Sequence, residues 1–219
     1  MPRILAVADE VDESLGGEAL ARLRPDLVLS AGDLPFDYLE YLVTVLNVPL
    51  LYVPGNHDPN LRERREELAW PPNIQLKDTG DPVGPLGCTN VDGRIEDVVG
   101  IRVAGLGGSL RYREGPNQYT QKEMRRRARR LRRRATAWGL RVSHGVDVLL
   151  THAPPLGVGD EADPAHRGFE ALLELVDRLS PTLLVHGHIH PFGQAKPDRQ
   201  LGTTTVMNAV PFRLLEVEP

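Results

Sequence analysis

A chain of 219 residues has the length of one generous domain, and 41% hydrophobic against 26% charged residues excludes a disordered polypeptide. The single cysteine, Cys88, excludes an internal disulfide and a cysteine-based zinc cluster, and makes a reducing, cytoplasmic location the expectation. A net charge of −4 argues against nucleic-acid binding by the whole surface, no apolar stretch approaches the length of a membrane span, and Met1-Pro2-Arg3 leads straight into an apolar run without a signal-peptide pattern.

Residues 4–8 form that apolar run, which stops at Asp9 and the acidic segment Asp9-Glu10-Val11-Asp12-Glu13. Gly16-Gly17 precedes a short helical pattern through Ala19, Leu20 and Leu23. Residues 27–30 read as a second buried strand, ending at Ala31-Gly32-Asp33. Over residues 36–46 the apolar positions Leu39, Leu42, Val43 and Leu46 recur at helical spacing, and Val48-Pro49 ends the helix. The next strand, residues 50–53, stops at Pro54-Gly55 and delivers Asn56, His57 and Asp58 in succession. Strand, helix, strand, helix, strand predicts parallel strands with right-handed crossovers.

From residue 61 the pattern changes. A short charged helix is expected at 62–68, before Trp70-Pro71-Pro72, and short strands at 74–76, 89–91, 94–98 and 101–104. Asp92-Gly93 signals a hairpin, so antiparallel strands are expected beside the parallel set. Gly105-Leu106-Gly107-Gly108-Ser109 suits either close backbone approach to a ligand or a plain turn. Arg111, Tyr112, Asn117, Gln118 and Tyr119 follow in a loop whose composition suits a pocket mouth or an ordinary surface. Over residues 124–138, Met124, Ala128, Leu131, Ala135 and Trp138 share one helical face while eight arginines cover the rest. A solvated arginine face is favoured there over a phosphate-gripping one. Residues 146–151 form another buried strand, ended by His152-Ala153-Pro154-Pro155. A loop rich in Gly, Asp and Pro runs to Arg167-Gly168, residues 169–179 read as an amphipathic helix, and the strand at 182–186 is capped by Gly187-His188-Ile189-His190. Apolar runs at 203–206 and 214–217 flank Asn208-Ala209-Val210-Pro211.

Five strand ends thus finish in Asp9, Asp33, Asn56-His57, His152 and His188 with His190. Singly, each has an ordinary explanation as a cap, a turn or a core residue. Together they form a mixed oxygen and nitrogen ligand set suited to manganese, iron or zinc rather than calcium. In open α/β sheets ligands bind outside the carboxyl ends of the strands.

These residues, Asp9, Gly32-Asp33, Gly55-Asn56-His57-Asp58, His152 and Gly187-His188-Ile189-His190, resemble the ordered motif series of the calcineurin-like metallophosphoesterases, with about two dozen residues between the first three motifs. The resemblance runs from Asp9 to His190. It implies an α/β fold, a four-layer α/β/β/α sandwich with two mixed β-sheets flanked by helices, in one domain over residues 1–219. It also implies two divalent metal ions, manganese first, with iron or zinc as alternatives. Carried over by position, Asp33 bridges both ions, Asn56, His152 and His188 hold one, and Asp9 and His190 hold the other. Such a pair activates a water as nucleophile and clamps phosphoryl oxygens. His57, grouped with Asp33 and Asn56 in the catalytic set, is similar to the family's histidine that orients the phosphoryl group and protonates the leaving oxygen. Asp58 supports the motif. His166 and Arg111 are further candidates for substrate contact, and Asn208 for supporting the metal ligands.

The first motif departs from the family's Asp-x-His, reading Asp9-Glu10-Val11. Valine binds no metal, so the first ion keeps Asp9, Asp33 and His190 unless Glu10, Asp12 or Glu13 reaches in from the acidic loop. Weaker occupancy there is expected. The leading expectation is a metal-dependent phosphoesterase acting on a small phosphomonoester or phosphodiester without a covalent phosphoenzyme, and with no membrane partner. The alternatives are a low-activity nucleotide- or phosphate-binding regulator and a nuclease using the arginine-rich helix.

Overall fold

The computed structural model describes residues 1–61, 84–137, 145–194 and 196–217. The helix expected at 62–68, the strand expected at 74–76 and Trp138 lie outside the described residues. In chain order the elements are β1 (Arg3–Val7), α1 (Gly17–Leu23), β2 (Leu27–Ser30), α2 (Phe36–Leu46), β3 (Leu50–Tyr52), β4 (Thr89–Asn90), β5 (Ile95–Val98), β6 (Ile101–Leu106), β7 (Ser109–Leu110), β8 (Gln118–Tyr119), α3 (Gln121–Ala137), β9 (Val148–Thr151), α4 (Glu170–Leu179), β10 (Leu183–His186), β11 (Arg199–Leu201), β12 (Thr204–Asn208) and β13 (Phe212–Glu216).

Successive side chains of a strand point to opposite faces, and that alternation creates the layers. Ile4, Ala6, Leu27, Leu29 and Leu51 enter one buried cluster, whereas their neighbours Leu5, Val7, Val28, Leu50 and Tyr52 enter another beneath α1 and α2, packing with Leu20, Leu39 and Leu42. In the second sheet Val103, Val148, Leu150, Val185 and Met207 join the first of these clusters. Ala104, Leu149, Leu184 and Val206 instead meet Met124, Leu131, Leu172 and Leu175 of α3 and α4. The result is helices, sheet, sheet, helices, the four-layer sandwich the motifs imply. Each fully buried aliphatic side chain contributes about 1.5–3 kcal/mol, so strands buried on both faces carry the fold.

The first sheet has the order β13-β1-β2-β3-β4 and the second β11-β12-β10-β9-β6-β5. β1 to β4 are parallel, with antiparallel β13 at one edge; β12, β10, β9 and β6 are parallel, with antiparallel β11 and β5 at the edges. Parallel strands sharing a direction bring their carboxyl ends to one rim of each sheet. Among the described residues no helix is long and apolar enough to cross a membrane.

The hairpin expected at Asp92-Gly93 does not form. β4 pairs with β3 in the first sheet and β5 with β6 in the second, so Asp92-Gly93 is where the chain crosses between sheets. Asp92 is fixed there because one carboxylate oxygen accepts the Gly107 N–H at 2.7 Å and both accept from Arg127. The hairpin instead turns at Val99-Gly100, both with left-handed backbone (φ 50° and 80°). β7, β8 and β11 have two or three residues each, too few to display a period in sequence.

In α3 the expected apolar face is buried through Met124, Ala128, Leu131 and Ala135. Several arginines of the opposite face are engaged in the fold. Arg125 meets Glu170 at 3.1 Å, Arg132 meets Glu174 at 3.5 Å, and Arg134 donates to the Gly93 carbonyl. Arg127 joins Asp92, donates to the Gly107 carbonyl at 2.8 Å and lays its guanidinium 4.0 Å from the Tyr119 ring centroid. Arg126, Arg129, Arg130 and Arg133 are exposed.

Arg127→Ala should therefore destabilise the protein by about 2–3 kcal/mol in urea unfolding, since it strands a partly buried carboxylate. Arg126→Ala or Arg130→Ala should stay within about 0.5 kcal/mol of the parent. Equal effects at all three positions would contradict this division of the helix.

Candidate metal centre

The candidate residues sit immediately beyond strand ends. Asp9 follows β1, Asp33 follows β2, Asn56 follows β3, His152 follows β9 and His188 follows β10, so both sheets contribute. Asp9, Asp33 and His188 all have left-handed backbone (φ 59°, 57° and 68°). That region is strained for most L-residues, though Asp, Asn and His occupy it more readily than others. It turns each chain out of its strand while directing the side chain inward. Glycines supply the remaining space. A Cβ on Gly55 would collide with Asp33 Oδ1, and one on Gly187 would collide with Asp9 Oδ2.

Asp9, Asp33, His152 and His188 each bring one ligand atom within 4.8 Å of the others. Nδ1 of His152 lies 2.7 Å from the Ala31 carbonyl, which only accepts, so Nδ1 carries a proton. Nε2 then faces two oxygens, Asn56 Oδ1 at 3.0 Å and Asp33 Oδ2 at 3.3 Å. Asp33 Oδ2 is buried and has no hydrogen-bond partner, and neither has Asn56 Nδ2. His188 directs Nε2 to the Ala165 carbonyl at 2.8 Å, which leaves Nδ1 as its free lone pair. Carboxylate, amide and imidazole groups thus converge on one place, where the proton on His152 Nε2 supplies the positive charge that a bound cation would replace. The donor set fits a divalent transition metal ion.

The acid–base properties express the same need. Burial favours neutral Asp33, but His152 and the His57 N–H outweigh it and hold the carboxyl down at about 2. Burial also opposes charge on His152, yet Asp33 and Asp9 raise it to about 9. Burial raises Asp9 to about 6, against the pull of His152 and with a further push from Asp33. Burial, then the positive charge of His152, depresses His188 to about 3, which keeps it neutral, the form in which imidazole binds metal.

The remaining sequence candidates take distinct places. His57 is exposed at the lip, and its backbone N–H donates to Asp33 Oδ1 at 2.7 Å. Asp58 Oδ2 accepts the N–H groups of Asp33 (3.1 Å) and Gly55 (2.7 Å), so it supports the motif as expected; burial and then Asp33 raise it to about 7. His190 lies outside the four-residue cluster, half-exposed, with Nδ1 2.7 Å from Glu10 Oε1. His166 packs its ring 5.3 Å from that of His188 and bonds Asp163. Arg111 is committed to Gln118 O and Glu123, both at 3.1 Å, rather than pointing free into a pocket. Asn208 donates to Ile189 O at 2.6 Å and holds the His188-Ile189-His190 turn. Sequence reasoning gave no such role to Asn117. Its side-chain amide donates to Gly55 O at 2.9 Å and its backbone is left-handed (φ 51°). The glycine cluster likewise serves the protein itself, since the Gly108 N–H donates to Pro54 O at 2.8 Å.

Comparisons with known proteins point the same way. The family model described as calcineurin-like phosphoesterase matches residues 3–192. Metallophosphoesterase domain-containing protein 1 of Homo sapiens is 43% identical over 75 residues, 33% of this chain and 22% of that protein. A UPF0046 protein of Caenorhabditis elegans is 51% identical over 55 residues, 24% of this chain and 14% of that protein. The chain thus matches these curated relatives over less than a quarter of their length. The crystal structure of a Thermus thermophilus protein, TT1561, superposes with a TM-score of 0.55 at 20% identity, over 95% of this chain and 88% of that one. A second crystal structure gives 0.61 at 18% identity, over 95% and 91%. At such identities the likeness speaks to the fold alone.

Proton competition yields a pH test. A cation takes His152 Nε2 only after its proton leaves, and takes Asp9 as the carboxylate. With folded values raised to about 6 for Asp9 and about 9 for His152, manganese affinity of chelator-treated protein should rise as pH increases from 6 to 9. Calorimetry in two buffers of different ionisation enthalpy counts the protons released. A flat affinity with no proton release would rule out these ligands.

Proposed function

Because the chain belongs to the calcineurin-like phosphoesterase family, we propose that it is a metal-dependent phosphoesterase that hydrolyses a small phosphomonoester or phosphodiester. The observation that carries this reading is the convergence of the buried Asp33 Oδ2, which makes no hydrogen bond, with Asn56 Oδ1 and the Nε2 of His152 3.3 Å from it, beneath an exposed His57. We assign Asp33 to both of two divalent ions, Asn56, His152 and His188 to one, and Asp9 and His190 to the other. Manganese suits this mixed set of oxygen and imidazole donors, as do iron and zinc. When bound, the ions supply Lewis acidity that activates water and neutralises phosphoryl oxygens.

The chain's own residues do the rest. Asp33 remains a carboxylate through the neutral range, so it offers charge to the centre without first losing a proton. His152 and His188 are each fixed by a backbone carbonyl, which sets the nitrogen available to a ligand. His57 is anchored through its N–H to Asp33 Oδ1, so the residue at the lip is registered to the centre through one short bond. In this reading its imidazole binds a phosphoryl oxygen and hands a proton to the leaving oxygen, and no covalent phosphoenzyme forms. Arg125, Arg127, Arg132 and Arg134 are committed to ion pairs and a carbonyl while Arg126, Arg129, Arg130 and Arg133 are exposed, and it is the net charge of −4 that favours a small ester over a polymeric nucleic acid as substrate.

Hydrolysis of bis-p-nitrophenyl phosphate and p-nitrophenyl phosphate with added manganese tests the proposal. His57→Ala should lower kcat by about 10²- to 10⁴-fold while metal content stays unchanged. Asp33→Ala should lose both metal and turnover. Hydrolysis that survives both substitutions would sink the mechanism.

A further inference from the structure

The first motif lacks the family's histidine, and Val11 in its place is 47% exposed. Its neighbour Glu10 is engaged. Oε1 of Glu10 lies 2.7 Å from Nδ1 of His190, with the two side chains 45% and 38% exposed. Local backbone geometry sets up this contact. Left-handed Asp9 turns the chain at the end of β1, and the Glu10 N–H donates to Ala8 O at 2.6 Å. Asp9 Oδ2 accepts the His188 N–H at 2.8 Å, so the two segments are tied at two points, one backbone and one side chain. Asn208 braces the same turn through Ile189 O at 2.6 Å. A carboxylate oxygen accepts, so Nδ1 of His190 is the donor, and in the neutral imidazole that binds metal the lone pair is then on Nε2.

We infer that Glu10 is a positioning residue for His190, fixing the tautomer and ring orientation in which Nε2 is free to hold the cation assigned to Asp9. The inference rests on the two-ion reading above. Glu10 compensates for the valine by strengthening a ligand that remains, not by adding one. A carboxylate behind a metal-bound imidazole raises its basicity, and removing such a partner lowers metal affinity by about 10- to 100-fold. Both groups are partly solvated, which places the effect near the lower end.

Manganese titration of the chelator-treated full chain, followed by the electron paramagnetic resonance signal of free Mn²⁺, tests this without any activity assay. Wild type should bind two equivalents, the second more weakly. Glu10→Ala should weaken the second by about 10-fold and leave the first unchanged, and Glu10→Gln, which keeps an acceptor oxygen but no charge, should fall between them. Val11→His added to Glu10→Ala should recover the second equivalent. A Glu10→Ala protein with wild-type affinity for the second ion, or with equal losses at both sites, overturns the inference. A wild type that takes one equivalent overturns it together with the two-ion assignment. A wild type that binds two ions and hydrolyses no phosphate ester overturns the phosphoesterase reading and leaves the role of Glu10 standing.

Discussion

A buried carboxylate oxygen without a hydrogen-bond partner, Asp33 Oδ2, is the constraint around which the rest is arranged. Leaving a buried acceptor unsatisfied costs on the order of 1–3 kcal/mol, and more when the group is charged. Asp33 does not escape by protonating. Its other oxygen takes the His57 N–H, its backbone N–H is held by Asp58, and the imidazole of His152 stands 3.3 Å away. The His57 and His152 contacts favour the anion. The protein thus maintains negative charge where burial alone would remove it, offset by the charged His152 and, when a metal ion displaces that proton, by the ion.

Holding that oxygen in place requires both sheets. Asp9, Asp33 and Asn56 come from the first sheet, His152 and His188 from the second, and the apolar layer between them fixes their separation. Two clasps reinforce the seam near the site. Asn117 reaches Gly55 O, and the Gly108 N–H reaches Pro54 O. The chain between β6 and α3, whose β7 and β8 form a separate two-stranded sheet, therefore buttresses the Pro54-Gly55-Asn56 turn. Arg127 extends that support to α3 by binding Asp92, which in turn holds Gly107. The arginine-rich helix contributes to the centre at this distance through packing.

Much of this is legible in the sequence, for a physical reason. Buried parallel strands read as continuous apolar runs, so β1, β2, β3, β9 and β10 stand out, and whatever polar residue ends such a run is conspicuous. Asp9, Asp33, Asn56, His152 and His188 are visible in that way. What escapes is set by partners far apart in the chain. Asp92-Gly93 has the local chemistry of a hairpin, yet Arg127 and Gly107 hold Asp92 at the crossing between sheets. Asn117 looks like any loop amide until Gly55, 62 positions away, is placed beside it. Arg111 looks free to meet a substrate because nothing local foretells Glu123 and Gln118 O as its partners.

The site also divides along a gradient of burial. His152 is wholly buried and His188 nearly so, and their rings are each pinned by a backbone carbonyl. His57, Glu10 and His190 lie nearer water. Electrostatic interactions weaken as solvent screens them, so the inner residues govern how tightly a charge is held, while the outer ones answer readily to an incoming group. In this chain the departure from the family's first motif, Val11, falls on the outer side of that gradient. At a solvated rim the loss of one imidazole strands no buried partner, since Val11 is 47% exposed. The same loss at His152 would take from Asp33 and Asn56 the buried imidazole that faces both of them.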